Sequence, residues 1–585
     1  MVGVRAGGAR RGAGSVVTAA APAPAPAPAP AREDPAARGA RAERFVARAA
    51  TATAALTAAG ALGGLLRDQI IATLFGADGA TDAFLVSWTV PEVAATLLIE
   101  EAMALVLVPA FACALATGGR GAVRALVAAT FPRLLCGLAV ACAVFVAGAP
   151  LLVRALAPGL ADPALAVDCT RLTAVTLLTF GMAGYLSAAL RAHRSFLPPA
   201  AIYLAYNTGI VATALLLHRQ WGMRAAAAGV ALGGLLMVLV QLPFFVRRLR
   251  GADDGAAPGR GAARVAGLTG FAVIAPVALF ALARQAQVFV ERALASGLPP
   301  GAISHLNFAQ KVAQLPMVLA MMICTVTLPL VARAVADGDL ARARERVERD
   351  VVLAGVVALL GGAYVVAYAP QIIALLFERG AFDAEATAAT ASVMRVYALG
   401  LLGHTLTGAL IRPFFSAGRP TWFPVAAMAP GLLVTAAGGL ALVGPFGAPG
   451  IAAANAAGIS VTALLLLRGL ARRTIPVDAP LLLGRLARLG AAALAAAAAG
   501  WGAGALTGGG PQAALALGCP LVPAAFLAAA LALRVPEAGL LVAAARRRIR
   551  RHLHRFRRPG GNVPGNHETS PMSDPPPRNR TPSEG

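Results

Sequence analysis

Long apolar stretches alternate with short polar connections along most of the 585-residue chain. Fourteen such stretches stand out, each about 18 to 30 residues long, which lets a helix rising about 1.5 Å per residue cross about 30 Å of hydrocarbon. They cover residues 49–66, 84–115, 127–150, 167–190, 199–217, 224–246, 267–290, 306–332, 351–376, 386–411, 423–443, 447–467, 484–506 and 513–533. In lipid every backbone N–H needs an internal partner, and the alternation typical of barrel strands is absent. The pattern therefore predicts an all-α polytopic membrane protein with about 14 transmembrane helices.

Arginines indicate how these helices are oriented. They crowd the segment before the first stretch, every second connection, and the segment after the last stretch. Short loops rich in arginine stay in the cytoplasm, so the pattern predicts that both termini are cytoplasmic. The same segments account for most of the net charge of +24. That charge therefore does not indicate nucleic acid as a partner.

Composition supports the membrane interpretation and adds little chemistry. Hydrophobic residues make up 58% of the chain and charged residues 13%, with a mean hydropathy of +0.71, whereas soluble domains are about a quarter charged. The six cysteines form no CxxC pair, and no nucleophile motif or phosphate-binding loop is apparent. We therefore expect a transporter rather than an enzyme, without a metal or other cofactor.

A short internal repeat predicts the domain organisation. Residues 102–111 in the second stretch resemble residues 321–330 in the eighth, which indicates two lobes related by a six-helix offset. The predicted arrangement is two six-helix lobes around a central cavity, with two additional C-terminal helices. Its parts are a disordered Ala/Pro/Arg-rich segment 1–48, lobes at 49–250 and 267–475 joined by a cytoplasmic linker 251–266, helices 13 and 14 within 476–535, and a basic, then disordered tail 536–585.

Charged residues inside the apolar stretches are the candidates for function, since a charge in the bilayer centre costs about 2.5 to 3.5 kcal/mol on insertion scales. Glu92, Thr96 and Glu100 recur every four residues and are expected to share one helix face. Lys311 is the single lysine of the chain. The alternative is structural, with neighbours such as Arg67 and Asp68 pairing with each other or reaching the headgroups. The predicted substrate-binding residues are Arg67, Asp68, Asp82, Glu92, Glu100, Glu101, Arg284, Lys311 and Arg412.

Several runs resemble the MurJ/MviN lipid II flippases of the multidrug/oligosaccharidyl-lipid/polysaccharide exporter superfamily. The matching runs, in the family's order, are residues 66–77, 81–91, 108–111, 309–316, 376–382, 397–401 and 411–416. The resemblance implies fourteen helices, a cationic cavity between two lobes, and a groove at helices 13 and 14 for a lipid tail. It also implies that Arg67, Asp68 and Asp82 fall on functional positions of the family, and that Lys311 replaces an arginine.

The implied activity is the transfer of lipid II, an undecaprenyl-pyrophosphate-linked glycopeptide, to the outer leaflet of the bacterial inner membrane for cell wall synthesis. Membrane lipids and cell wall synthesis proteins are the other implied partners. The chain departs from the family pattern at Ala61, Ala95 and Thr96, where the family has arginines, and at Glu92, where it has asparagine. Two alternatives stay open: an exporter of another polyprenyl-linked glycan or of a cationic solute, and a transport-silent membrane scaffold for envelope synthesis. A cationic cavity would favour the flippase, an acidic one the cation exporter, and a closed, ion-paired one the scaffold.

Overall fold

The computed structural model describes residues 35–250, 271–416, 421–506, 510–536 and 538–539. The predicted linker 251–266, residues 1–34 of the N-terminal segment and almost all of the tail lie outside these ranges. The first helix begins at Pro35, inside the segment predicted to be disordered. Proline suits the first turn of a helix, and the alanines and arginines that follow favour helical backbone. Residues 35–54 belong to a separate compact unit, and the second unit begins at Ala55.

The described residues contain α-helices and one π-helical segment, with no strand among them. The helices of the first half are α1 (Pro35–Phe75), α2 (Gly79–Ala95), the π segment (Thr96–Ala102), α3 (Met103–Leu156), α4 (Pro163–Ala174), α5 (Thr176–Ala192), α6 (Leu197–Trp221) and α7 (Arg224–Arg250). Those of the second half are α8 (Phe271–Ala295), α9 (Ala302–Ala313), α10 (Leu315–Ala336), α11 (Leu340–Phe377), α12 (Ala384–Leu399), α13 (Leu401–Ser416), α14 (Phe423–Arg473), α15 (Ala479–Leu506) and α16 (Pro511–Ala532). The all-helical fold class predicted from the sequence is confirmed.

Two helices are long enough to hold two predicted membrane spans each. In α3 the backbone leaves helical geometry at Gly118 and Gly119, and in α14 it does so at Gly447. Gly119 and Gly447 have positive φ angles of 56° and 59°, which glycine adopts without steric cost. Within the described residues, nine helices, or ten with the bent pair α12 and α13, are long and apolar enough to cross a membrane. The described part of every predicted stretch is helical apart from single turn residues at Val175, Gln314, Gly400 and Leu533. Because α1, α8 and the pair α9–α10 fall short of the length and hydropathy criterion, the exact count of fourteen stays a prediction.

The π segment interrupts the second predicted span. Its hydrogen bonds run from residue i to i+5, so a four-residue repeat no longer follows one face beyond Thr96. The expectation that Glu92, Thr96 and Glu100 share one face assumed the period of an α-helix. The π segment does not have that period. The side chains of Glu100 and Glu101 lie outside the described residues, and only their backbone is placed, within the π segment.

Packing separates the helices into two groups. In the first half α5 packs against α3 and α7, and α6 lies along α7. In the second half α14 packs against α8 and α13, while α15 and α16 pack on each other and on α11. The two groups meet mainly where α2, α3 and the π segment contact α8 and α9. The predicted boundaries of the two lobes stay predictions, and the candidate functional site lies at this junction.

The arginine-poor connections of the two halves meet at one end of the molecule. The Ala381 N–H donates to the Thr73 carbonyl at 2.9 Å, and the Gly159 N–H donates to Ser296 Oγ at 3.2 Å. The Gln69 side chain adds a bond from Nε2 to a carbonyl of α11 at 3.0 Å. The sequence pattern assigns this end to the outer side of the membrane, and in this structure contacts between the halves hold it closed.

Candidate functional site

A buried ion cluster joins α1 to α9. Arg67 Nη2 lies 2.8 Å from Asp68 Oδ1, and its Nε donates to the same oxygen at 3.0 Å. Arg67 Nη1 donates to Asn207 Oδ1 at 2.9 Å, and Asn207 Nδ2 donates to the Gly60 carbonyl at 3.0 Å. Lys311 Nζ lies 3.5 Å from Asp68 Oδ2. One carboxylate therefore holds two cations that come from opposite halves of the chain.

Trp88 supports both cations of this cluster. The Arg67 guanidinium lies 4.3 Å and the Lys311 ammonium 4.7 Å from the centre of the Trp88 ring. Attraction between a cation and an aromatic face contributes about 0.5 to 2 kcal/mol, more when water is excluded. The indole Nε1–H donates to Tyr206 Oη at 2.9 Å, which fixes the ring. The sequence singled out the charged residues of this cluster but not Trp88.

Lys311 keeps capacity for a further ligand. Its Nζ is buried and, among the described residues, makes no hydrogen bond. An ammonium group carries three donors, and leaving them unmade in a buried place costs free energy. The distance of 3.5 Å to Asp68 gives an ion pair without satisfying those donors. The arrangement suits an anion that enters from the adjoining cavity.

The central cavity lies between α2, α8, α9, α13 and α14 and has a volume of about 310 Å³. Its charged lining residues are Arg284, Arg292, Lys311 and Glu92, so cations outnumber the one carboxylate. The remaining polar lining is rich in carboxamides and hydroxyls: Gln285, Gln287, Gln310, Gln314, Asn307, Asn455, Thr89, Thr96 and Thr407, together with His404. A cationic, hydrogen-bonding surface of this kind complements phosphate groups and sugar hydroxyls.

Buried contacts between distant residues position part of the cavity wall. Arg292 donates from Nη1 to the Ile303 carbonyl at 3.0 Å and from Nη2 to Asn307 Oδ1 at 2.9 Å. These bonds join α8 to α9 across the turn between them. The turn brings Arg292 close to Asn307, which is only 15 positions away in the sequence. This short sequence separation is a signal that could have identified Arg292 as a residue of the cavity wall.

A second network of buried hydrogen bonds adjoins the central cavity. Glu291 accepts from Tyr397 Oη at 2.9 Å and from Asn455 Nδ2. Asn455 Oδ1 in turn lies 3.1 Å from His404 Nε2, and Asn455 and His404 both line the cavity. Sequence reasoning missed these partners because they lie more than 100 residues from Glu291.

Asp82 bridges the two halves at their closed end. Its Oδ2 accepts from the Gly301 N–H at 2.8 Å, and its Oδ1 accepts from the Ser304 N–H at 2.7 Å and from Ser304 Oγ at 2.6 Å. These donors belong to the N-terminus of α9, where unpaired N–H groups and the helix dipole favour a carboxylate. In this conformation Asp82 acts as a helix cap and does not line either cavity described here.

A second cavity of about 350 Å³ lies inside the first half, between α1, α2, α5, α6 and α7. It adjoins the central cavity, because Glu92 and Thr96 line both. Its walls are mainly aromatic or small: Trp88, Phe180, Tyr203, Tyr206, Gly60, Ala61 and Ala95, with Thr57, Arg67, Asn207 and Met237 completing the lining. The positions at which the chain departs from the family pattern thus surround one space.

The structure brings together four of the predicted site residues at the cavity walls, namely Arg67, Glu92, Arg284 and Lys311. Asp68 lies directly behind them through its two ion pairs. Arg412 lies on α13 and lines neither cavity. The roles of all nine predicted residues in binding substrate stay predictions.

A helical membrane bundle with a polar, cationic cavity between two packed halves defines the chain as a polytopic transporter-type membrane protein. The family model described as "Lipid II flippase MurJ" matches residues 71–513. The chain belongs to the MurJ family, which confirms the resemblance found in the sequence. It is 29% identical over 424 residues to the lipid II flippase MurJ of Burkholderia cenocepacia, covering 71% of this chain and 82% of that protein. It is 30% identical over 457 residues to the probable lipid II flippase MurJ of Rhizobium meliloti, covering 74% and 82%.

Solved structures agree on the fold. A lipid II flippase MurJ in an inward closed conformation superposes with a TM-score of 0.66 at 16% identity, covering 82% of this chain and 98% of that one. An inward-facing multidrug resistance transporter of the MATE family, in the MOP superfamily, superposes with a TM-score of 0.57 at 12% identity, covering 72% and 95%. At these identities the likeness concerns the fold alone.

Proposed function

We propose that this chain carries lipid II, or a closely related polyprenyl-diphosphate glycan, from the cytoplasmic to the outer leaflet of the bacterial inner membrane. The observation that carries the proposal is Lys311, a buried ammonium without a hydrogen-bond partner among the described residues, at the wall of a cationic cavity between the two halves. Family membership supports the same activity.

The chemistry of the cavity fits the charged part of such a substrate. A diphosphate cannot cross hydrocarbon without a replacement for its hydration shell. Lys311, Arg284 and Arg292 supply cations, and the carboxamides supply donors and acceptors for sugar hydroxyls. A space of about 310 Å³ holds only part of a glycopeptide headgroup. The prenyl chain is apolar and is expected to stay in lipid.

Transport requires the cavity to open alternately to each side. The contacts of Asp82, Thr73 and Gly159 with the second half close the end that the arginine pattern assigns to the outside. Rearrangement of the two halves about the cavity would break these contacts and release the headgroup outward. The same arginine pattern places both termini in the cytoplasm, and proteins of cell wall synthesis are the expected partners.

Complementation tests the proposal. A bacterium depleted of its own lipid II flippase is given this chain, and survival is followed together with the lipid II exposed on the outer leaflet. The wild-type chain should rescue growth, and Lys311→Ala should not, while the amount of inserted protein is unchanged. Arg224→Ala is the matched control, because it removes a cation that lies outside both cavities. Full rescue by Lys311→Ala would overturn the assigned role of Lys311, and no rescue by well-inserted wild-type chain would overturn the proposed substrate.

A further inference from the structure

The two ends of α14 meet at a third cavity, which shares no lining residue with the two cavities described above. Its volume is about 330 Å³, and its lining residues are Phe423, Leu465, Arg468, Gly469, Arg472 and Arg473. Phe423 is the first residue of α14 and Arg473 is the last, and the interruption of the helix at Gly447 allows both to line one space. The arginine pattern assigns this side to the cytoplasm. We call this cavity the arginine pocket.

The three guanidinium groups of the arginine pocket have no acidic partner. Among the described residues, none of them forms an ion pair or a side-chain hydrogen bond. The carboxylates of Asp478 and Glu348 are already paired with Arg344, at 3.8 Å from its Nη2 and 2.8 Å from its Nε. The positive-inside rule and the dipole of the helix end both favour arginines here. Neither effect requires the arginines to line a cavity, and the pocket carries positive charge that an anionic ligand would compensate.

An aromatic ring forms part of the pocket wall beside these cations. A side chain at Gly469 would collide with the Phe423 ring, so the ring lies directly against the helix backbone there. The centre of the Phe423 ring lies 5.6 Å from that of the Phe414 ring and 4.6 Å from the Arg473 guanidinium, and both contacts hold it in place. Leu465 adds a second apolar side chain. The pocket therefore combines cations with an apolar wall.

The pocket lies at the level where lipid headgroups are expected. Phe423 begins the predicted stretch 423–443, and Arg468 directly follows the stretch 447–467. The three arginine side chains are exposed, so they are accessible from outside the bundle. Basic pockets between helices at the cytoplasmic surface bind anionic headgroups, and guanidinium groups bind phosphate through paired hydrogen bonds. These features together favour a phosphate that is attached to an apolar group.

We propose that the arginine pocket binds an anionic phospholipid of the cytoplasmic leaflet, of the phosphatidylglycerol class. Arg468 and Arg472 are four residues apart on one helix face and bind the phosphate. Phe423 and Leu465 contact the glycerol and the first acyl carbons, and Arg473 holds the Phe423 ring while adding positive charge. The bound lipid is a lasting neighbour of the protein and is distinct from any transported substrate. The site is therefore testable without transport.

Quenching of Trp422 fluorescence by brominated lipids tests the site in the full-length protein. Trp422 directly precedes Phe423 and is 54% exposed. Trp221→Phe and Trp501→Phe remove the other two exposed tryptophans, and the buried Trp88 gives a constant background. The protein is reconstituted into phosphatidylcholine vesicles that contain a minor fraction of either brominated phosphatidylglycerol or brominated phosphatidylcholine. The anionic lipid should bind beside Trp422 at least about fivefold more strongly, the ratio that about 1 kcal/mol gives.

Two double variants separate the pocket from the general charge of the surface. Arg468→Gln with Arg472→Gln should abolish the preference for phosphatidylglycerol, because the phosphate loses both of its ligands. Arg333→Gln with Arg342→Gln is the matched control. It removes the same charge from exposed side chains at the end of α10 and the start of α11, which the arginine pattern also assigns to the cytoplasmic side. The control should keep the preference of the unsubstituted reporter protein.

The proposal is overturned if both brominated lipids quench Trp422 equally in the reporter protein, or if the variant without Arg468 and Arg472 keeps the preference. Equal losses in the two double variants would show that only the general surface charge attracts the lipid, which also overturns a built site. Glycerol 3-phosphate distinguishes a lipid from a soluble phosphate compound. It should leave the quenching by phosphatidylglycerol unchanged at a concentration equal to that of the lipid. Displacement at that concentration would assign the pocket to a soluble phosphate compound and refute the lipid as its ligand.

Discussion

Replacing Asp82 with alanine removes three hydrogen bonds that join the two halves at their closed end. The carboxylate accepts from Gly301 N, Ser304 N and Ser304 Oγ at distances of 2.6 to 2.8 Å. Loss of a helix N-cap costs about 0.5 to 2 kcal/mol, and a hydrogen bond to a charged group contributes about 1.5 to 3 kcal/mol. We therefore expect Asp82→Ala to destabilise the closed end by about 2 kcal/mol or more, which raises the population of its open form about thirtyfold.

Hydrogen–deuterium exchange read by mass spectrometry measures this effect. Amides at the start of α9 should exchange at least about tenfold faster in Asp82→Ala, and so should the peptide around Gly159, whose N–H donates across the same junction. The control is Asp339→Ala, which removes the cap of α11 at Arg342 N, 3.0 Å away, without touching the junction. It should accelerate exchange at α11 alone. Unchanged exchange around Gly159 in Asp82→Ala would refute the argument that this carboxylate holds the two halves together.

Three further substitutions test the packing and electrostatics around the site. Gly301→Ala forces an alanine to adopt a φ of +97° against the backbone of the first half and should accelerate exchange at the start of α9; normal exchange would contradict this. In Tyr397→Phe the buried Glu291 loses the hydrogen bond that the Tyr397 hydroxyl donates, which should lower the free energy of unfolding in detergent by about 1.5 to 3 kcal/mol. An unchanged melting temperature would contradict a stabilising role for the hydrogen-bond network around Glu291. Arg224→Ala breaks an ion pair with Asp168 in which the two side chains are 49% and 42% exposed, and should cost less than about 1 kcal/mol; a larger loss would show that solvent screening was overestimated.

The helical fold could be predicted from the sequence because its signals are local. Apolar stretches of membrane length predict helices, and Gly118, Gly119 and Gly447 interrupt α3 and α14 close to the boundaries expected from the pattern. The π segment could not be predicted, because its apolar residues also fit an ordinary α-helix. It changes the face on which residues beyond Thr96 lie.

The site was predicted only in part, for a physical reason. A charged residue in a membrane span is visible in the sequence, which is why Arg67, Asp68 and Lys311 were identified. Their arrangement depends on Trp88 and Asn207, and Asn207 is an uncharged residue that lies 140 positions away from Arg67. Hydropathy gives no information about such tertiary contacts, so neither the cation–π support nor the second cavity could be derived from the pattern.

The central claim is that Lys311 binds the diphosphate of a lipid-linked substrate. Purified chain reconstituted into vesicles with fluorescent lipid II tests it most directly, by the rate at which lipid II crosses the bilayer. Loss of one charge-assisted hydrogen bond of about 1.5 to 3 kcal/mol predicts that Lys311→Ala flips about 10- to 150-fold more slowly than wild type. Lys311→Arg, which keeps the charge, should retain more activity, and Arg224→Ala should match the wild type. Lipid II transfer by Lys311→Ala at the wild-type rate would contradict the account.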